Sequence, residues 1–235
     1  MIEKNKLITA MVTPFNIYGE VDHKTSKKLA KALSETGSDG ILIGGTTGES
    51  PTLSNEEKLE LFKTVKEAVG DSTDVIAGTT DNNTSESIKL SVEAQKLGVD
   101  GLLLTVPAYN KPTQEGLLSH FKKIADSVKI PGILYNVPGR TSLSMDAETA
   151  IELSKHENII GIKEASSNLS QITKIITETS GNNFKIWSGN DDETFSIMAL
   201  GGHGVVSVAS NIIGLQISRM IDTFLDGDVE FASRQ

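Results

Sequence analysis

Short apolar runs recur along the whole chain and alternate with longer amphipathic stretches. The runs are rich in Ile, Leu and Val without polar alternation, which is typical of parallel strands buried on both faces. Eight of them are predicted as strands, at residues 7–11, 40–43, 74–77, 101–104, 132–135, 159–163, 185–188 and 204–208.

The stretches between these runs have helical spacing. The clearest begins at Ser54, which can form a capping box with Glu57, and ends at Gly70. Its apolar face consists of Leu61, Phe62, Val65, Ala68 and Val69. A second pattern covers residues 169–176 before Gly181. Further helices are predicted at 83–97, 115–128, 145–154, 191–200 and 211–225.

One helix-to-strand junction is nearly repeated. Residues 37–43 read GSDGILI, residues 98–104 read GVDGLLL, and 201–206 form a looser copy, GGHGVV. Eight strands alternating with about eight helices predict an α/β protein with a (β/α)8 TIM barrel, as a single domain over 1–235. The alternative is an open doubly wound sheet, but no strand is followed by a GxGxxG or Walker loop.

Composition and charge exclude several classes of functional site and partner. The chain lacks cysteine, so disulfides, thiolate metal sites and cysteine nucleophiles are excluded. A net charge of −9 argues against nucleic-acid binding. No apolar run reaches the roughly 18 residues of a membrane helix, and the first residues lack a signal-peptide core. We therefore expect a soluble cytoplasmic protein without nucleic-acid or membrane partners.

Lys163 is the candidate that changes this picture most. It ends the apolar run 159–163, so a buried strand would carry its amine. Burial disfavours the ammonium form and lowers the pKa, and a neutral amine can attack a carbonyl to form a Schiff base. The alternative is a lysine that marks where the strand reaches solvent, as most lysines do.

Other candidates follow neighbouring strands, where barrel active sites lie. The loop 44–50, GGTTGES, carries Thr46 and Thr47 among glycines that let N–H groups approach a small carboxylate, although a plain tight turn fits equally well. Later strands are followed by Tyr109, Tyr135 and Arg140 in PAYNKP and YNVPGRT. Tyrosine can relay protons and arginine can fork onto a carboxylate. With Lys163, the set fits imine chemistry on a keto acid better than a metal or nucleotide site.

Several other residues are interpreted structurally. Asp191 and Asp192 open a predicted helix, where capping is favoured over metal binding. Trp187 is expected in the core, and no GxSxG signature occurs. The histidines show no metal-ligand spacing, and we expect them at the surface or at junctions. They are His23, His120, His156 and His203.

These motifs together resemble the dihydrodipicolinate synthase family of class I pyruvate-dependent aldolases. The matching segments lie in barrel order between about residues 7 and 225, at 44–50, 107–112, 135–141, 161–165 and 201–207. The resemblance implies condensation of pyruvate with L-aspartate-4-semialdehyde to 4-hydroxy-tetrahydrodipicolinate. This is the entry step to diaminopimelate and lysine synthesis, and it needs no metal or organic cofactor because the protonated imine is the electron sink.

The resemblance also implies individual roles. Lys163 would form the Schiff base with pyruvate, and Thr47 would hold the pyruvate carboxylate with nearby N–H groups. Val206 would add a backbone contact. Tyr135 would shuttle protons, and Arg140 would help to bind the aldehyde substrate.

Two further roles concern an expected subunit interface. Thr46 would link Tyr135 to Tyr109, and Tyr109 would come from a neighbouring subunit. The family is mostly tetrameric and built from tight dimers, so a homo-oligomer is expected if assembly tolerates a chain that ends at Gln235, without the family's usual C-terminal helical segment. If assembly fails, the chain would be a catalytically inert barrel.

Two sequence features separate this chain from its relatives. The consecutive threonines and the GRT run 139–141 favour the synthase over sialic-acid lyases, while sugar-acid aldolases remain the alternative. Many members have tyrosine where Ala108 stands and histidines at Asn55 and Lys58, positions that line an allosteric lysine site. Other residues of that site do match, namely Ser50, Asn82 and Glu86. We therefore expect weak or absent inhibition by lysine.

Overall fold

Eight parallel strands close into a barrel in the computed structural model, which describes residues 2–235. The strands follow chain order, and the last pairs with the first, Ile8 lying opposite Val206. They are β1 (Leu7–Ala10), β2 (Gly40–Ile43), β3 (Asp74–Gly78), β4 (Gly101–Thr105), β5 (Gly132–Asn136), β6 (Ile159–Glu164), β7 (Lys185–Ser188) and β8 (Gly204–Ser207). The predicted barrel is confirmed, and the open sheet is wrong because β8 pairs with β1.

Helices connect the strands and cover the outside of the barrel. Within residues 2–235 they are α1 (His23–Glu35), α2 (Asn55–Val69), α3 (Thr84–Lys96), α4 (Gln114–Asp126), α5 (Pro138–Thr141), α6 (Ala147–Leu153), α7 (Leu169–Thr179), α8 (Thr194–Ala199), α9 (Ser210–Leu225) and α10 (Val229–Ala232). The capping box of Ser54 and Glu57 is confirmed at the start of α2, and Gly70 ends that helix with a positive φ of 58°. None of these helices in the described part of the chain is long and apolar enough to cross a membrane.

The core has two layers, which explains the unbroken apolar strands. One layer fills the barrel and includes Trp187, which is fully buried and donates its indole N–H to the Asn5 carbonyl at 2.8 Å. The other layer lies between strands and helices and includes Phe62 and Phe121. Each strand is therefore buried on both faces, and the core position predicted for Trp187 is confirmed.

The near-repeated junctions close the amino-terminal end of the barrel. The Asp39 carboxylate accepts the N–H groups of Lys6 and Leu7 at 2.7 and 2.9 Å. The Asp100 carboxylate accepts the N–H of Val75 at 2.8 Å and also binds Lys66. The glycines that precede these junctions have positive φ, at Gly37, Gly98 and Gly201. The repeat is thus structural, and it leaves the opposite end for chemistry.

Candidate active site

A cavity of about 330 Å³ lies at the carboxyl ends of the strands, where the barrel rule places active sites. Five of the seven predicted site residues line it, namely Thr46, Thr47, Tyr135, Arg140 and Lys163. The remaining lining residues are Val137, Gly189, Asn190, Asp191, Asp192 and Val208. Residues from four loops and two strands therefore meet at one cavity, and the sequence predicted part of this set.

Lys163 lies near the end of β6 with only 4% of its surface exposed. Burial lowers its pKa from the ordinary 10.5 to about 8, while the Asp191 charge raises that pKa and the Arg140 charge lowers it. A substantial fraction of the amine is therefore neutral near pH 8 and able to act as a nucleophile. The expectation that the strand buries this amine is confirmed.

Tyr135 is the register partner of Lys163 across β5 and β6. The Lys163 ammonium nitrogen lies 4.2 Å from the centre of the Tyr135 ring. Burial raises the pKa of Tyr135, and the Arg140 charge and hydrogen bonding with Thr46 and Arg140 partly offset the rise. The phenol accordingly keeps its proton at neutral pH, so it can donate to an oxygen beside Lys163.

The glycine-rich loop after β2 is a tight turn with two N–H groups left over. The N–H groups of Gly48 and Glu49 close the turn onto the carbonyls of Gly45 and Thr46 at 3.1 and 3.0 Å. Those of Thr46 and Thr47 donate to no other group of residues 2–235. The tight turn is therefore confirmed, while binding of a carboxylate by the N–H groups of this loop stays a prediction.

Close backbone packing fixes the position of this loop. Gly44 has a φ of 64°, which is the left-handed region that favours glycine. A side chain at Gly78 on β3 would place its Cβ 2.2 Å from the Gly44 carbonyl oxygen. The Thr13 hydroxyl also donates to the Gly48 carbonyl at 2.6 Å. The loop that carries the threonines is thus held from both sides.

Two predicted residues do not line the cavity. Tyr109 lies on an exposed turn with a φ of 71° and 90% of its surface accessible, so it does not join Thr46 and Tyr135 within its own chain. Val206 lies inside the barrel on β8, and its neighbour Val208 reaches the cavity instead. The exposed position of Tyr109 on the turn 108–110 agrees with the expectation that it acts in a neighbouring subunit, which stays a prediction.

Asp191 is the main residue that the sequence interpretation misplaced. It follows β7 in a short 3-10 helix, Asp191–Glu193, but its carboxylate does not cap that helix. It accepts from the Ser207 hydroxyl and from the N–H groups of Val208 and Ala209 at 3.1 and 3.0 Å, directly before α9. The rule that selected the other loops would have found it, since it also follows a strand.

A second cavity, of about 620 Å³, opens beside the first and shares Thr46, Val137 and Arg140 with it. Lys58 and Asp81 are among its lining residues. Burial lowers the pKa of Lys58, and the Asp81 charge raises it. Ser50, Asn55, Asn82 and Ala108, which the resemblance assigned to the lysine site, also line this cavity.

The histidines lie apart from both cavities. His23, His120 and His156 contact Thr64, Thr84 and Asp126 respectively, while His203 contacts Lys6 at the other end of the barrel. Across residues 2–235, no group of three His, Cys, Asp or Glu side chains is placed to hold a metal ion.

Comparison with known proteins agrees with this geometry. A model of the Dihydrodipicolinate synthetase family matches residues 3–235. The 4-hydroxy-tetrahydrodipicolinate synthase of Dehalococcoides mccartyi strain CBDB1 is 52% identical over 233 residues, which cover 99% of this chain and 78% of the relative. A 4-hydroxy-tetrahydrodipicolinate synthase of Halalkalibacterium halodurans is 51% identical over 228 residues, covering 97% of this chain and 77% of the relative.

Solved structures are similar over the same extent. The dihydrodipicolinate synthase of Bacillus anthracis superposes with a TM-score of 0.96 at 45% identity, covering 100% of this chain and 80% of that one. The enzyme of Cyanidioschyzon merolae, solved with lysine bound, gives a TM-score of 0.97 at 48% identity and covers 99% and 79% of the two chains. Both proteins are therefore similar to this chain in sequence as well as in fold.

Proposed function

Since this chain belongs to the dihydrodipicolinate synthetase family, we infer that it condenses pyruvate with L-aspartate-4-semialdehyde to give 4-hydroxy-tetrahydrodipicolinate. The reaction is a lyase-type step of lysine biosynthesis. The names of the relatives support this substrate pair over the sugar-acid alternative. The residues of the cavity supply a group for each stage of the reaction, and a Schiff base at Lys163 is its centre.

The first stage is imine formation. The neutral amine of Lys163 adds to the keto carbon of pyruvate, and water leaves to give a protonated imine. Tyr135 lies beside the amine and holds a proton at neutral pH, so it donates to the departing oxygen and recovers a proton later. The imine then loses a methyl proton to form an enamine, with the iminium as electron sink.

The pyruvate carboxylate needs donors close to Lys163. The free N–H groups of Thr46 and Thr47, with the Thr47 hydroxyl, meet this need at the cavity wall. Val206 contributes only through its backbone, since its side chain fills the barrel interior. Holding the carboxylate places the keto carbon within reach of the amine, which accounts for a large part of the rate in such reactions.

The second substrate enters at the mouth of the cavity. Arg140 lines both cavities and offers a fork for the carboxylate of aspartate semialdehyde. The enamine carbon attacks the aldehyde carbon, forming the new carbon–carbon bond. The amine of the adduct then displaces Lys163 by transimination, which closes the ring and frees the lysine.

One observation carries this proposal above the others. Lys163 is a buried amine with a pKa of about 8, 4.2 Å from the centre of the tyrosine ring beside it. Borohydride reduction in the presence of pyruvate tests it, followed by peptide mass mapping. A reduced pyruvate adduct on Lys163 is the expected result, and no adduct on folded protein would overturn the mechanism and favour an inert barrel.

The acceptor is tested separately. Unreduced enzyme supplied with pyruvate and aspartate semialdehyde should release the heterocyclic product, whereas sugar-acid aldehydes should react at least about 100-fold more slowly because they lack the amine that closes the ring and the carboxylate position that Arg140 serves. Equal turnover with a sugar-derived aldehyde would favour the alternative aldolase function.

We further propose that Tyr109 acts in a neighbouring subunit of a homo-oligomer, a dimer or tetramer. Its side chain is almost fully exposed on a strained turn, although it is large and aromatic. An aromatic side chain in this state is typical of an interface anchor. Sedimentation of the wild type and of Tyr109→Ala should differ, with the variant already dissociated at protein concentrations at which the wild type is still assembled, and an unchanged monomer in both would contradict the proposal.

We propose that lysine inhibits this chain weakly or not at all. Lys58 places an amine in the second cavity, where it repels the ammonium group of an incoming lysine. The relative from Cyanidioschyzon merolae was solved with lysine bound, so the two proteins provide a direct contrast. Strong inhibition of this chain by lysine at the concentration that saturates lysine binding to the Cyanidioschyzon merolae enzyme would contradict the proposal. A cytoplasmic location also remains a prediction.

A further inference from the structure

A buried carboxylate lies directly behind the catalytic pair without taking part in the reaction. Glu164 follows Lys163 on β6 and is fully buried, and Asn136 follows Tyr135 on β5. The two pairs are consecutive in register, Tyr135 opposite Lys163 and Asn136 opposite Glu164. Since successive side chains of a strand point to opposite faces, the Glu164 carboxylate points away from the cavity that Lys163 enters.

Neutral donors hold this carboxylate. The Asn136 amide donates to both oxygens at 3.1 and 3.2 Å, and the Ser166 N–H donates at 3.0 Å. The Gln171 amide adds a longer bond of 3.5 Å. Burial raises the pKa of Glu164, and these hydrogen bonds oppose the rise. A buried carboxyl group is costly to leave without hydrogen-bond partners, so these donors restrict where it can lie.

The same network reaches further segments of the rim. The side-chain oxygen of Asn136 accepts a hydrogen bond from the Met145 N–H at 2.9 Å. The Gln171 amide donates to the Met145 carbonyl at 3.1 Å. The Glu164 backbone carbonyl accepts the N–H of Gly189, which lines the cavity, at 2.7 Å. Strands β5 and β6, the loops after β6 and β7, and helix α7 are thus joined around one residue.

We propose that Glu164 is a positioning residue, whose hydrogen bonds to Asn136 fix the separation and angle between the Lys163 amine and the Tyr135 phenol. Glu164 touches neither substrate. It acts because a shift of β6 against β5 moves the nucleophile relative to its proton donor. Such a displacement slows the chemical step while leaving the carboxylate-binding loop in place.

The inference rests on the proposed function and is tested by the rate of imine formation. Rapid mixing with pyruvate, followed by borohydride quench at set times, gives a maximum trapping rate and a half-saturating pyruvate concentration. In Glu164→Gln, an amide nitrogen replaces one acceptor oxygen and faces the Asn136 amide. We expect the maximum rate to fall about tenfold and the half-saturating concentration to change less than about twofold.

A matched control separates this effect from a general loss of stability. Thr9 is also fully buried in a strand, and its hydroxyl bonds to Ser38 at 2.6 Å on the other side of the barrel. Thr9→Val should lower the melting temperature without changing either trapping parameter. A structural role for Glu164 would give the same result as this control, so equal trapping rates in Glu164→Gln and wild type would overturn the inference.

Other outcomes also test the positioning role of Glu164. Should Glu164→Gln fail to fold, Gln171→Met removes only the outer donor and should slow trapping about two- to threefold, while an unchanged rate would overturn the inference. A rise in the half-saturating concentration alone would place the residue in binding and overturn it too. A wild-type chain that forms no adduct would instead refute the proposed function itself, whereas normal wild-type trapping keeps that function whatever the variants do.

Discussion

The two ends of the barrel place charge in opposite ways. At the amino-terminal end, Asp39 and Asp100 are satisfied by strand N–H groups and by Lys66. At the carboxyl end, the amine of Lys163 is buried with its pKa lowered, and two loop N–H groups have no partner within residues 2–235. The first arrangement lowers the free energy of the folded chain. The second gathers a buried amine, a phenol and those two N–H groups around one cavity, as we expect of the end that binds a substrate.

The strongest challenge to this comparison is removal of one lysine from each end. Lys163→Ala should reduce turnover by about 10⁴-fold or more, since no other nucleophile replaces the amine, without loss of stability. Lys66→Ala should keep turnover within about twofold of wild type. Its free energy of unfolding should fall by only about 1 kcal/mol, since Asp100 keeps its hydrogen bond to the Val75 N–H. Turnover assays and thermal melts measure both. Loss of activity in Lys66→Ala would contradict the conclusion that only the carboxyl end of the barrel is functional.

A smaller effect is expected from the proton donor. Tyr135→Phe keeps the ring beside the Lys163 amine and removes only the hydroxyl. We expect imine formation and turnover to fall about 100-fold, the usual range for a lost acid–base group. Stopped-flow trapping is the measurement. A rate within threefold of wild type would show that water supplies the proton instead.

The lowered pKa of Lys163 also predicts how stability depends on pH. Below pH 8 the amine is charged in both the folded and unfolded states, and burial of that charge destabilises the fold. Between pH 8 and 10.5 the unfolded chain binds more protons than the folded chain, so stability rises with pH. Lys163→Met should be more stable than wild type at pH 7 by on the order of 3 kcal/mol, with the gap closing by about pH 10.5.

Urea titrations of both proteins at pH 7, 8, 9 and 10 would measure that gap. The discriminating result is its slope, because a packing effect of methionine would be the same at every pH. A constant difference between Lys163→Met and wild type would mean that Lys163 has an ordinary pKa in the folded protein, and the comparison between the barrel ends would lose its main support.

The smallest expected effect concerns Asp191. Its negative charge raises the pKa of Lys163, so Asp191→Asn should lower that pKa further and move the acid limb of the trapping rate to lower pH. Asp192 lines the same cavity and provides a matched control, Asp192→Asn, which should leave the limb in place. An equal shift in both variants would indicate a general change of field at the rim.

The sequence predicted the strands well and the contacts between loops poorly. Strands buried on both faces appear as unbroken apolar runs, so β2 and β7 have the predicted bounds. Helix α1 was not assigned, because the sequence HKTSKKLAKALSE is dominated by polar residues, and the short helix α5 has too few residues for a periodic pattern. The sequence therefore predicted the strands and helices whose pattern is contained in a single segment of the chain.

The candidate site divides in the same way. Lys163 and Tyr135 follow from strand position alone, because the end of a strand is visible in the chain. The partner groups of Asp191 come from residues about sixteen positions later, and the Glu164–Asn136 bond joins residues 28 apart. Such contacts depend on register between strands, which no single segment encodes. The exposure of Tyr109 is a related case, because the direction of a turn depends on its φ angles.

The absence of a side chain at Gly78 has a consequence for redesign of the substrate pocket. Its Cα lies so close to the Gly44 carbonyl that even a methyl group has no room, and the turn with both threonines rests against that space. An engineer who wishes to admit a bulkier 2-oxo acid can therefore adjust the wall formed by Val137 or Val208, but not the floor beneath the threonines. Evolution of new specificity on this scaffold meets the same restriction, because the turn that carries the threonines is held by backbone against backbone.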